Sequence, residues 1–458
     1  MKRYPTYLLW FGFAIACSVL WACGGSKNAS EGSAAQDFSA APTPTSSFNF
    51  NGVQILHQRT DGPLVSVGLV FGGRHTREDS TLSGLENLLM QMLIHGGTHY
   101  RSPHQVKVRA EAVGARFSTE VQPDHSLLTM QCPADEFENA WRLLGEMIFE
   151  PAFLPPVFGR LLSGAQERMQ LRAKDSLYGP IERAVGKSLY YAHPYRLPLK
   201  GTPASLNRMR YDALFVYYDR MLTATNIKLV VVGNVSRATI ADNLIGTFDQ
   251  LLQEPTRALP DVNWENVPEP VLMPDSTLPE GRFYARVPGP NVYDAEAVQL
   301  ELALLCLKSA VQAELCQQRQ LTCDFDAELL YCAHQGAEWR FTTPVPHQTI
   351  GYFLNILKRI VESGPYEREL AAAKAQLKYR VFAPRMKQLA HVQQLSAMLS
   401  AFGSPGLVAK PAEMANTINL ASAKDIQRVA RKYFSNPLWY YHGNPRKMNA
   451  QLFSREAG

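Results

Sequence analysis

The sequence predicts an α+β fold in two homologous parts, each a mainly antiparallel sheet packed by helices, and three observations carry that expectation. One is an internal repeat: Asp212, Tyr217-Tyr218, Asn226 and Gly233-Asn234 follow one another in the first half, and Asp425, Tyr433-Phe434, Asn436 and Gly443-Asn444 keep the same order in the second. From Asn to Gly is seven residues in both. Another is the order of periodicities in the first half, which alternates short strands with helices and places helices on one antiparallel sheet. The last is size, since about 410 residues follow the amino-terminal segment and exceed one core. A stretch with six prolines, 254–279, divides them. The expected organisation is therefore 1–22, 23–47, a first domain 48–253, the linker 254–279 and a second domain 280–458.

Residues 1–22 open with Lys2 and Arg3, run apolar from Tyr7 to Trp21 and end before Cys23-Gly24-Gly25. A charged start, a short apolar centre and a small residue before the break describe an export signal, not a membrane span of about 20 residues. Leu20-Trp21-Ala22-Cys23 resembles a bacterial lipobox, which implies lipid attachment at Cys23, with Cys17 as a weaker second site. No Asp follows Cys23, and the resemblance then implies the outer membrane, facing the periplasm. An ordinary cleaved signal or an uncleaved anchor are the alternatives. From Gly24 to Ser47 the chain is Gly, Ser, Ala, Pro and Thr with few large apolar groups, so it reads as a flexible tether.

The formal net charge is +5, falling to +3 without Lys2 and Arg3, and the basic residues read as dispersed. That gives no support for a nucleic-acid partner. Beyond Cys17 and Cys23 stand Cys132, Cys306, Cys316, Cys323 and Cys332 with no Cys-x-x-Cys pair, which argues against a zinc cluster. Buried thiols are the plain expectation, and one disulfide is the rival.

In order, Val53–His57 and Leu64–Phe71 alternate as strands, Val106–Val113 reads as a helix, and Ala115–Val121 with Ser126–Cys132 as a strand hairpin. Pro133–Ile148 is a long helix and Arg160–Leu171 another. Asn226–Val235 is a buried strand. In the second half Phe283–Val287 is a strand, Ala295–Val311 a helix, and Asp425 starts a helix that leads to a strand from Asn436.

The chain is organised around Ser83–Thr98. Leu85, Leu88, Leu89, Met92 and Leu93 recur at helical spacing, Gly96 and Gly97 close the helix, and Asn87, Met90 and Gln91 lie one turn apart on its other face. Gly84-Leu85 before this helix and Gly97-Thr98 after it resemble the zinc segment of the insulinase/pitrilysin peptidases, in the processing-peptidase-like branch. His193-Pro194-Tyr195 with Gly201-Thr202 resembles another of that family's segments, a surface loop and helix start. The family carries His-x-x-Glu-His on this helix: two histidines bind zinc and the Glu takes a proton from metal-bound water. Here those positions, within the helix 84–95, are Asn87, Met90 and Gln91. Neutral amides are poor zinc ligands and a thioether accepts no proton. Glu167 stands 76 residues past Gln91 (167 − 91), where the family's third ligand is expected. The Arg and Tyr with which the family holds the scissile peptide align with Ala310 and Cys323.

The resemblance thus implies a non-catalytic family member without zinc. Its sharpest form is the zinc-free partner of a zinc-bearing family member in a heterodimeric peptidase. A scaffold lipoprotein holding a peptide or an envelope protein by sheet-edge pairing is the alternative from another class. A third is a peptidase with a non-standard site using His95, His99, His104 or His125. Tyr191, Tyr195, Tyr217 and Tyr218 read either as packing or as an aromatic peptide-binding strip.

Overall fold

The computed structural model describes residues 45–73, 78–175, 177–191, 193–253, 262, 264, 270–290, 295–330, 336–402 and 411–449. The expected signal, Cys17, Cys23, most of the tether and Cys332 lie outside the described residues. The first half runs β1 (Thr45–Phe50), β2 (Val53–Arg59), β3 (Leu64–Gly72), α1 (Leu85–His95), α2 (Pro103–Ala112), β4 (Arg116–Val121) and β5 (His125–Pro133). Then come α3 (Phe137–Phe149), α4 (Pro155–Asp175), α5 (Gly179–Ser188), α6 (Pro203–Arg208), α7 (Ala213–Met221), β6 (Ile227–Gly233) and α8 (Arg237–Leu244). The second half runs β7 (Val271–Pro274), β8 (Gly281–Pro288), α9 (Ala295–Val311) with a π-helical continuation Gln312–Gln318, β9 (Phe325–Leu330) and β10 (Gly336–Thr343). It closes with α10 (Pro346–Ser363), α11 (Glu367–Phe382), α12 (Gln388–Phe402), α13 (Pro411–Leu420), α14 (Ala423–Tyr433) and β11 (Leu438–Gly443).

The sheets have the spatial orders β1-β2-β6-β3-β5-β4 and β7-β11-β8-β10-β9. With β1 set aside, one order maps strand for strand onto the other. Each sheet has one parallel pair, β2 with β6 and β7 with β11, and is otherwise antiparallel. The α+β repeat read from the sequence is present. Among the described residues each half also places five α-helices between the hairpin and the closing strand, α3 to α7 and α10 to α14.

Two expected boundaries move. The tether gives way to strand at Thr45, not Phe48, because Thr45–Phe50 pairs residue for residue with β2 through a turn at Asn51-Gly52. Gly52 takes φ 92°, a left-handed value open to glycine. Within 254–279, Val271–Pro274 is no linker, since it adds an edge strand beside β11.

Alternation sorts each sheet into two faces. Val53, Ile55, Val67, Leu69, Leu229 and Val231 join α1, α3 and α7 in the core of the first half. On the opposite face Leu56, Val230 and Val232 are covered by Val392, Leu395 and Leu399 of α12, a helix of the second half. The second sheet is treated likewise: Tyr284, Leu438 and Tyr440 pack against Ile181 and Val185 of α5, a helix of the first half, and against Leu189 just past its end. α5 and α12 are the third of the five helices in their halves. The two halves therefore exchange equivalent helices.

Polar contacts seal the exchange. His391 Nε2 meets Gln58 Oε1 at 2.7 Å, Gln388 Nε2 donates to Thr60 at 3.0 Å, and Lys228 Nζ donates to the Leu399 carbonyl near the end of α12 at 2.7 Å. Across the other joint Ser188 and Tyr440 share a hydroxyl hydrogen bond at 2.8 Å. Arg286 donates to both Glu338, at 2.9 Å, and Tyr190.

Candidate functional site

Glycines and hydroxyls place α1. Gly84, at φ 91°, stands where the chain enters the helix, and a Cβ there would lie 2.7 Å from the Gly201 nitrogen. Gly201, at φ 82°, could carry no Cβ either, for it would meet the Ser83 carbonyl oxygen at 2.8 Å. Two backbones thus touch where only glycine fits on both sides. Beside them Thr202 and Ser205 form a capping box at the start of α6, and Ser205 Oγ donates to the Ser83 carbonyl at 2.8 Å. At the other end Gly97 takes φ 81° beneath Arg101 and Pro103.

Leu85, Leu88, Leu89, Met92 and Leu93 are buried, as their spacing requires. Asn87 and Gln91 are half-buried. Gln91 Nε2 donates to Thr119 Oγ1 of the edge strand β4 at 2.8 Å, which ties the helix to the sheet edge. Met90, expected on the outer face, is fully buried in the core of the first half. The apolar face of α1 is wider than the sequence spacing suggests because the helix packs against β4, β5, α3, α4 and α7. Glu167 lies on α4, which packs against α1, and its side chain is exposed.

These residues do not fit zinc. One of the four side chains is a buried thioether, one is an amide whose nitrogen already serves a threonine, and only Glu167 carries a charge. Among the described residues no three or more His, Cys, Asp or Glu side chains come close enough to hold a metal. His95, His99 and His104 are exposed, and His99 meets Glu150 at 3.1 Å. His125 is buried at the start of β5, where loss of solvent lowers its pKa to about 4 and keeps it neutral. The four histidines do not converge on one centre.

Sequence reasoning missed Glu86. It is fully buried, and it accepts hydrogen bonds from Ser126 Oγ at 2.5 Å and from the Tyr217 hydroxyl. Its own N–H donates to Glu78 at 3.0 Å. A buried carboxylate beside a degenerate zinc position invites a catalytic reading, but the second half argues otherwise. There Glu296, also the second residue of its helix, accepts from the hydroxyl of Tyr433 on α14 at 2.8 Å. Tyr217 and Tyr433 are the matching tyrosines of the repeat. A pair built twice, once in the half without the zinc helix, is a tie between the first helix of a half and the last helix before its closing strand. The signal was present as Glu at the second helical position in both halves.

The remaining expected positions fall as follows. Ala310 is buried in the core of the second half near the end of α9. Cys323 is exposed and disulfide-bonded to Cys316, while Cys132 and Cys306 are the buried free thiols, each pushed up to about 12 by burial. Among the described residues one disulfide, the rival expectation, stands beside two buried thiols. His193, expected on a surface loop, is buried: its Nδ1 accepts from the Tyr195 N–H at 3.1 Å and its ring packs on Tyr190 and Tyr195. The four tyrosines form no strip. Tyr217 serves Glu86, Tyr218 donates to the Ile148 carbonyl at 2.7 Å, Tyr195 donates to Asp124, and Tyr191 is exposed.

An α+β chain of two interlocked repeats, with a helix that carries neither metal ligands nor a base, defines a class: peptidase-like proteins that kept a scaffold and lost its chemistry. Family models agree. Residues 54–199 match the model described as insulinase (peptidase family M16), and residues 208–377 match that described as peptidase M16 inactive domain. This chain belongs to the insulinase family and is a catalytically degenerate, non-catalytic member of it. It is 23% identical over 183 residues to the alpha subunit of the mitochondrial-processing peptidase of Solanum tuberosum, a match spanning 40% of this chain and only 36% of that subunit. Among solved structures, a peptidase M16 inactive domain from Pseudomonas fluorescens matches with TM-score 0.77 and 17% identity, over 88% of this chain and 99% of that one. The periplasmic protease PqqL of Escherichia coli matches with TM-score 0.72 and 13% identity, over 87% of this chain and 45% of that one.

Proposed function

We propose that this chain is the zinc-free partner subunit of a heterodimeric peptidase, exported and held by a lipid on Cys23 at the outer membrane, facing the periplasm. The observation that carries it is the contrast on α1. Gly84, Gly97, Gly201 and Thr202, which shape the helix and its contacts, are kept, and the positions for chemistry read Asn87, Met90 and Gln91. A fold maintained to this degree without a reaction to perform serves by being a surface. The similarity to PqqL covers 45% of that protease, and a companion of the same fold would match the remainder. The Cys316–Cys323 disulfide suits an oxidising compartment and supports export.

A scaffold that holds an extended peptide without cutting it is the second reading. It is favoured by β4, an edge strand with alternating exposure next to Gln91. One experiment separates the two. The tagged chain is purified from its native envelope, and the mass and zinc content of the complex are measured. A zinc-bearing companion of similar mass, with peptide cleavage that stops when the companion's zinc motif is altered, is the expected result. A metal-free chain alone or with an unrelated envelope protein supports the scaffold, and zinc carried by this chain by itself overturns both.

A further inference from the structure

The basic residues are less dispersed than the composition suggests. Between Glu369 and Glu413 there is no acidic residue, yet Lys374, Lys378, Arg380, Arg385, Lys387 and Lys410 fall there. Most of them sit where α11 ends and a short 3-10 turn, Ala383–Met386, leads into α12. Two large side chains project from the same joint, Tyr379 at 75% exposure and Met386 at 89%.

Local stability explains part of this pattern. Lys374 Nζ donates to the Asn419 carbonyl at 2.8 Å, and Arg380 pairs with Glu301 of α9 at 3.1 Å. Cations in the last turns of α11 also suit its dipole. The rest is not explained that way. Lys387 stands exposed just before the start of α12, where a helix dipole disfavours positive charge. Lys374 and Lys378 are like charges one turn apart, which costs a few tenths of a kcal/mol. Among the described residues Lys378 and Lys387 form no ion pair. Tyr379 and Met386 bury almost nothing.

Uncompensated cations around an exposed Tyr and Met are the make-up of a recognition surface. We propose that the α11–α12 joint docks an acidic polypeptide segment, with carboxylates meeting Lys378 and Lys387 and an apolar side chain packing on Tyr379 and Met386. Two features favour a polypeptide over an anionic bilayer. Among the described residues 379–387 no Trp, Phe or Leu is exposed to enter a lipid layer, and an unbranched Met adapts to varied side chains. This surface is independent of the zinc helix and of whether the companion chain bears metal.

The test uses the full chain and a fluorescein-labelled copolymer of glutamate and tyrosine, followed by anisotropy at several salt concentrations. Binding that weakens with salt is expected, about tenfold weaker in the double variant Lys378→Glu/Lys387→Glu. Tyr379→Ala/Met386→Ala should weaken it about fivefold with an unchanged salt slope. Lys107→Glu/Lys424→Glu, the same charge change elsewhere, should stay within about twofold. No binding, equal loss in the control pair, or tighter capture of phosphatidylglycerol vesicles or a single-stranded oligonucleotide than of the copolymer overturns the proposal.

Discussion

Glu86 and Glu296 show how burial decides what a hydrogen bond contributes. Glu296 is partly exposed and keeps Lys432 at 2.8 Å and Arg428 at 3.0 Å if the tyrosine hydroxyl is removed. Glu86 is sealed in, and Tyr217 is one of two hydroxyl donors to it among the described residues. Tyr217→Phe should therefore cost about 1–3 kcal/mol in urea unfolding, and Tyr433→Phe less than about 1 kcal/mol. Equal costs would remove the burial argument. At this scale the sequence was legible where the reason is local. Gly84, Gly97 and the leucine spacing of α1 announce themselves because turn and helix geometry need only near neighbours. Glu86 did not, because Ser126 and Tyr217 lie 40 and 131 residues away. The burial of Met90 was hidden for the same reason, since distant elements enclose α1.

Among the elements, α12 lies against a single small residue. A Cβ on Gly68 in the middle of β3 would come within 2.5 Å of Ser396 Oγ and 2.7 Å of Val392 Cγ1. Gly68→Val should lift α12 off the first sheet, with a loss of about 2–4 kcal/mol and faster hydrogen exchange in 388–402. Unchanged exchange there would show that the helix can shift freely. The same joint responds to acid. Burial and the nearby Arg385 lower the His391 pKa to about 4, and burial lowers that of His125 to about 4, where Asp124 and Glu86 oppose the effect and Lys228 adds to it. Both are neutral when folded but take a proton near pH 6.5 when unfolded. The unfolded state therefore binds more protons between those values, so stability is full above pH 6.5 and falls as pH drops toward 4. Each histidine accounts for on the order of 3 kcal/mol across that window. Urea titrations at pH 7, 5.5 and 4.5 should show a steady decline, reduced in His391→Gln. In the first half most strand and helix extents were legible from periodicity, whereas between Val311 and Asp425 no element was read, although the described residues there form two strands and four α-helices. The covering of one half's sheet by the other half's helix was not, for an apolar strand face does not say which distant helix meets it.

For the molecule as a whole, the exchange of α5 and α12 joins folding of the halves. A fragment 45–253 would expose Leu56, Val230 and Val232, and a fragment 270–449 would expose Tyr284, Leu438 and Tyr440. Expressed separately, each should give low near-ultraviolet dichroism and aggregate; mixed, they should recover a soluble complex. A fragment that is folded and monomeric alone would disprove the dependence. The two-part plan itself was legible, because the duplicated Asp, Tyr, Asn and Gly order records it in the sequence. Its interlocking is visible only when both sheets are seen with their covers.

That interlocking also fixes how the protein responds to dilution. Were the halves separate molecules, the helix exchange would be a bimolecular equilibrium, and at low concentration both sheets would lose their covers. Joined in one chain, each half meets the other at an effective concentration set by the length of their connection and not by the number of copies present. Association becomes intramolecular, so mass action cannot separate the two sheets from their borrowed helices. The protein therefore keeps the same cohesion at one copy as at thousands.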